Sequence, residues 1–212
     1  MGTRHDICIF SDGEMKVQQY SQWDGYLSGN GRKFIDWVKD NLQQQTPEGF
    51  KVVVEDLKKK VALTREATDE YVEELQKSLK KLEAKTSFKI PLAISLDIFH
   101  RDTSVGILDR ILKIQTYDYK EGKYFPVVLD YRCEMLEFAY VIDLDRKMLY
   151  FLTTHEFKGK SKSIPAEVAE RFSDDMKCWY KVGIQELPDF KTVERIKNSI
   201  GLDYDVESGT YY

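Results

Sequence analysis

The sequence predicts an α+β protein: two β-hairpins forming one mainly antiparallel sheet, with helices packed on its faces as a layered α/β sandwich. Three observations carry this expectation. Apolar runs followed by turn signals lie near both ends of the chain, at 7–10 before Asp12-Gly13 and at 138–144 before Asp145-Arg146-Lys147. Between them apolar residues recur every three or four positions, as on one face of a helix. The 212 residues are 42% hydrophobic and 13% aromatic with only 12 Gly and 5 Pro, enough apolar material for a core without a metal or disulfide staple.

Ile7-Cys8-Ile9-Phe10 is apolar on both faces, as suits a central strand, and residues 15–20 alternate as its hairpin partner. After Gly25, Gly29 and Gly31, with Ser28 and Asn30 as N-cap candidates, a helix buries Phe34, Ile35, Val38 and Leu42. Residues 43–49 read as a loop. The charged segment 52–83 reads as a helix with one apolar stripe and i,i+4 pairs such as Glu55–Lys59. A short apolar stretch at 91–98 precedes a helix through Ile107, Leu108 and Ile111, capped by Asp102-Thr103-Ser104. Strands at 138–144 and 148–153 make the second hairpin. A short helix at 166–172, a strand at 178–182 and a helix at 191–200 follow. Residues 1–204 form one domain in this reading, and 205–212 a tail.

A net charge of −4 and a pI near 5.5 argue against nucleic acid as the main partner. Cys8, Cys133 and Cys178 are odd in number and far apart, which fits a reducing compartment better than a disulfide framework. His5, His100 and His155 lack zinc-ligand spacing. No apolar h-region follows Met1 and no run nears 18 apolar residues, so a cytoplasmic chain with no membrane partner and no cofactor is expected. A small-molecule substrate or ligand is the expected partner, with a homo-oligomer left open.

One segment carries chemical information: Gln22-Trp23-Asp24-Gly25-Tyr26, with Gly29 and Gly31 behind it. Aromatics flanking a carboxylate and a glycine, after a strand and before a helix, are the parts from which a pocket is floored. A loop whose Trp23 and Tyr26 merely cap the core is the competing reading. The pattern is neither a Walker A nor a dinucleotide fingerprint. Arg4 and His5 precede the first strand and would sit beside this turn, Arg4 to hold an anionic group and His5 to move a proton. An Arg4–Asp24 ion pair is the structural alternative. Arg101 is a second anion-binding candidate, and Glu137, at the start of the long strand, is a carboxylate able to face either arginine. His100-Arg101-Asp102 lacks the remaining kinase signature. Lys158, Lys160 and Lys162 read as a solvated loop.

Thr3-Arg4-His5, the Asp12-Gly13 turn and Gln22-Trp23-Asp24-Gly25-Tyr26 resemble the start of a widespread, largely uncharacterised family of fungal, bacterial and phage proteins. The resemblance returns at Arg101-Asp102-Thr103 and at 137–145, covering roughly residues 3–155 in patches. Leu27 replaces the usual proline, and Ser104-Val105 replaces Gly-Ala. At fold level the order hairpin, helices, hairpin is similar to the core of N-terminal nucleophile hydrolases. That likeness implies a nucleophile near Thr3 acting through a free α-amine, with Asp24 at the end of the second strand. Gly2 stands before Thr3, so the amine is free only after further processing.

The expectation is a small hydrolase acting on amide or acyl bonds of a small anionic substrate. Thr3, His5 and Asp24 would be catalytic, and Arg4, Gln22, Trp23, Tyr26, Arg101 and Glu137 would bind substrate. The alternative is a non-catalytic module holding a small anionic ligand or a protein terminus in the same pocket.

Overall fold

The computed structural model describes residues 3–44, 46–66, 70, 73, 77, 103–113, 127–128 and 135–202. Most of the expected helix beyond residue 66, the 91–98 stretch, Arg101, Asp102, Cys133 and the 205–212 tail lie outside the described residues.

The architecture is α+β around a five-stranded mixed sheet. β1 (His5–Ser11) and β2 (Glu14–Ser21) form the first hairpin; β5 (Phe138–Asp143) and β6 (Met148–Thr153) form the second, and β7 (Lys177–Gly183) extends it. The strand order is β2-β1-β5-β6-β7. β1 and β5 run parallel, pairing His5 with Phe138 and Phe10 with Asp143, while the other neighbours are antiparallel. Thus the hairpins meet through their first strands, and both strands begin at the same sheet end. A separate two-stranded sheet joins β3 (Arg65–Glu66) to β4 (Val127–Val128).

The continuous burial of β1 follows from its central place: Ile7 and Ile9 face one layer, Cys8 and Phe10 the other. The first layer is thick. It holds α1 (Arg32–Asn41), α2 (Pro47–Val61), α3 (Gly106–Leu112) and α5 (Phe190–Ser199), which bury Phe34, Leu57, Leu108 and Val193 against Tyr140, Phe151 and Trp179. Over the second layer, Leu136, Met176 and the single-turn α4 (Ala166–Ala169), through Val168, form a thinner cover.

Several boundaries differ from expectation. α1 is capped by Gly31 with no side-chain bond, because 27–31 forms a wide π-type turn instead of releasing Ser28 or Asn30 as a cap. α2 begins earlier, since the Thr46 hydroxyl accepts from Gly49 N and Pro47 takes the first helical turn, where its missing N–H costs nothing. It ends at Val61, and β3 follows. Ser104 does not cap α3, which opens at Val105 with no side-chain cap.

The two hairpin turns are clamped together. Asp145 accepts from Asp12 N (3.0 Å), Gly13 N (2.9 Å) and Lys58 Nζ (2.5 Å), so one carboxylate joins both turns to α2. Burial pushes the Asp145 pKa up, but Lys58 and the two amides outweigh it and the net shift is downward. This clamp closes one end of the sheet. The start of β1 and the end of β2 lie at the other. Among the described residues no helix is long and apolar enough to cross a membrane.

Candidate active site at the tryptophan turn

At the open end of the sheet the chain leaves β2 at Ser21 and folds across the start of β1. The turn is fixed almost entirely through its backbone. Gly25 N donates to Thr3 O (3.3 Å), Asn30 N donates to Asp24 O (2.7 Å), and Gly31 N to Tyr26 O (3.2 Å). Asn30 Nδ2 donates to Trp23 O (2.8 Å), and the buried Tyr140 hydroxyl donates to Gly25 O (2.7 Å). Asp24 takes a left-handed conformation with φ 55°, which Asp tolerates better than most residues.

Two glycines are required by close approach. A Cβ on Gly25 would lie 2.7 Å from His5 Cβ and 2.9 Å from both His5 Nδ1 and Thr3 O. One on Gly31 would lie 2.5 Å from the Tyr140 hydroxyl. The glycines therefore let the turn settle onto His5 and Tyr140 rather than bind a phosphate.

Beside the turn is a partly open cavity of about 350 Å³. It is bordered by Ser21, Trp23, Asp24, Asn30 and Lys33 on one side and by 103–106 on the other. Trp23 is 46% exposed at its rim. Lys33 is the one cation among the described lining residues, and Asp24 the one carboxylate.

Behind the wall is His5, fully buried between β2 and β5. Its Nε2 is 2.7 Å from the Ser104 hydroxyl oxygen, and its Nδ1 makes no hydrogen bond of normal geometry. Burial lowers the imidazole pKa to about 4; the Thr3 backbone pulls weakly upward, and the Lys33 charge adds to the depression. The ring is thus neutral at physiological pH. Ser104 has φ 46°, another left-handed position, and is 6% exposed on the cavity wall.

The expected residues divide into two groups. Trp23 and Asp24 border the cavity, while His5, Thr3 and Tyr26 do not. Thr3 is 7% exposed, its carbonyl held by Gly25. The Tyr26 hydroxyl donates to Asp24 Oδ1 (3.2 Å). Gln22 is half-buried and does not border the cavity. Arg4 and Glu137 face elsewhere: Arg4 N donates to Glu137 Oε1 (3.2 Å), and the guanidinium reaches Met135 O (3.4 Å) rather than Asp24. Glu137 Oε2 is 3.5 Å from His155 Nε2. Burial raises the Glu137 pKa, but His155 and the Arg4 amide outweigh it and leave the group below its ordinary value. Arg101 lies outside the described residues.

Sequence reading missed Ser21, Asn30, Lys33 and Ser104. Lys33 looked like any charged residue on the solvent face of α1. Ser104 reads as part of the helix cap, and its left-handed φ has no local sequence signal. Among the described residues no group of three or more His, Cys, Asp or Glu could hold a metal ion. Comparison of the chain with protein-family models, with curated proteins and with solved structures finds no match.

Proposed function

We propose that the protein is a small hydrolase that cleaves an ester or amide bond of a small anionic substrate in the cavity beside Trp23 and Asp24. The observation that carries this reading is the neutral, buried His5 imidazole, set 2.7 Å from a hydroxyl on the cavity wall. A base must be unprotonated to accept a proton, and an imidazole pKa near 4 keeps it so throughout the physiological range. In this reading Lys33 holds the anionic group of the substrate. Trp23 walls the cavity and Asp24 orients the bound molecule from the rim. The family resemblance and the fold-level likeness to N-terminal nucleophile hydrolases belong to the same proposal, without the N-terminal nucleophile itself. Thr3 then serves as backbone support for the turn, because its carbonyl is committed to Gly25 and it does not border the cavity.

A second reading, a non-catalytic module for a small anion, is favoured by the rim itself. Exposed Trp23 and Lys33 can hold a carboxylate-bearing ligand without reaction.

Hydrolysis of p-nitrophenyl esters and anilides of succinate and glutarate tests the proposal in the wild-type protein and in His5→Gln and Lys33→Ala. Turnover that falls at least 100-fold in His5→Gln is expected, with a raised KM in Lys33→Ala. Turnover indifferent to both changes, or none in the wild type, refutes the hydrolase. Thermal stabilisation by succinate or glutarate without turnover, lost in Lys33→Ala, establishes the binding module instead.

A further inference from the structure

We propose that Ser104 is the nucleophile of this site and carries the acyl group as an ester during turnover. The inference rests on the hydrolase reading above and adds a covalent intermediate to it. Three features of Ser104 point the same way.

Its hydroxyl is not used for local structure. A serine preceding a helix ordinarily caps it by accepting a backbone N–H, yet α3 has no side-chain cap, and Ile107 N bonds the Ser104 carbonyl. The Oγ turns instead across 99 positions of sequence to His5 Nε2. Next, the residue holds φ 46°, a conformation that costs an L-residue about 1 kcal/mol or more and is concentrated at functional sites. Finally, Ser104 borders the cavity, whereas His5, 2.7 Å from its hydroxyl, is fully buried and does not. A substrate in the cavity therefore meets Ser104 before it meets the imidazole. Nucleophile and base within hydrogen-bond reach, with the base immobilised, is the arrangement that activates a weak hydroxyl nucleophile. His5 is immobilised by sheet pairing on both sides and by the backbone of Gly25 packed against its ring.

The step balances as follows. The Ser104 proton passes to His5 Nε2 while Oγ bonds the substrate's carbonyl carbon and the carbonyl π electrons move to oxygen. Collapse breaks the bond to the alcohol or amine, which leaves with the proton from Nε2. Water then gives a proton to Nε2 and its oxygen to the acyl carbon. The acyl–Oγ bond breaks and Oγ recovers the proton, releasing the carboxylic acid, which ionises in solvent. Serine donation to Nε2 places the ring hydrogen on Nδ1, on the side of the Thr3 backbone.

The test uses the full chain with a serine-directed fluorophosphonate probe, read by intact and peptide mass, alongside acid-quenched reaction with p-nitrophenyl esters. One probe per chain is expected on Ser104, absent in Ser104→Ala and slowed at least tenfold in His5→Gln. An acyl adduct on the same peptide should appear in the quenched sample. Ser104→Gly, which relieves the left-handed strain, provides a variant expected to fold, checked by circular dichroism. Its loss of both label and adduct with the fold intact supports the proposal. Ester turnover that survives in Ser104→Ala and Ser104→Gly but is lost in His5→Gln overturns the nucleophile and leaves the hydrolase, with His5 activating water. Labelling of Ser104 without turnover of any tested ester or anilide keeps the nucleophile and overturns the substrate class.

Discussion

Acid should destabilise this fold through the buried His5. The unfolded chain binds a proton at His5 with a pKa near 6.5, whereas the folded protein binds it only near pH 4, because the ring is buried. Between those values the unfolded state holds more protons, so stability falls with falling pH. The contribution is complete above pH 6.5, declines through the interval, and is exhausted below pH 4. A difference of 2.5 units at about 1.4 kcal/mol per unit amounts to roughly 3 kcal/mol. That is a large share of the about 5–15 kcal/mol typical of a domain. Urea unfolding at half-unit steps from pH 7.5 to 4, for the wild type and His5→Gln, isolates the effect. Carboxylates such as Glu137 and Asp145 titrate in both proteins and cancel in the difference. The wild type should lose about 3 kcal/mol more than the variant across the window. Parallel curves, or a His5 imidazole titrating near 6.5 by proton NMR, would refute the burial argument and with it the neutral base.

Gly25→Ala forces a methyl group into His5 and the Thr3 carbonyl; because backbone must move, a loss of about 2–3 kcal/mol is expected by thermal or urea unfolding. Tyr140→Phe strips the Gly25 carbonyl of its buried donor and should cost about 1–3 kcal/mol. Its unfolding curve should move while the remaining sheet, judged by far-ultraviolet circular dichroism, does not. Cys8 and Cys178 are buried, and burial pushes the Cys178 thiol up to about 12. Both should resist iodoacetamide in native protein at pH 8 and react in urea, as peptide mass spectrometry would report.

The elements readable from sequence were those with strong local patterns. The Asp12-Gly13 turn and the alternation of 15–20 define the first hairpin, and the apolar run after Glu137 defines the second, because a two-fold apolar period or a continuous β-branched and aromatic run has few other uses. The charged helix was placed but not bounded. Its apolar stripe continues past Val61, while the actual stop lies where Ala62, Leu63 and Thr64 turn the chain into β3. The grouping of Arg4 with Asp24 failed for a comparable reason. Arg4 lies just before β1, where its guanidinium reaches Met135 O, while the His5 side chain meets Ser104, a contact set by distant chain that no local pattern near Asp24 shows.

By itself the chain's pattern determined the hairpins, the helical layers, a buried first strand and a glycine-dependent turn beside it. All of these leave a local signature, an apolar period or a turn residue, in the chain. The parallel joining of β1 to β5 and the seating of Lys33 by the cavity were decided only in three dimensions, as was the meeting of His5 with Ser104. The last pair lies 99 positions apart, and no local period encodes such a contact. It exists because β1 is held between β2 and β5, so that the packing of α3 delivers one hydroxyl to one imidazole.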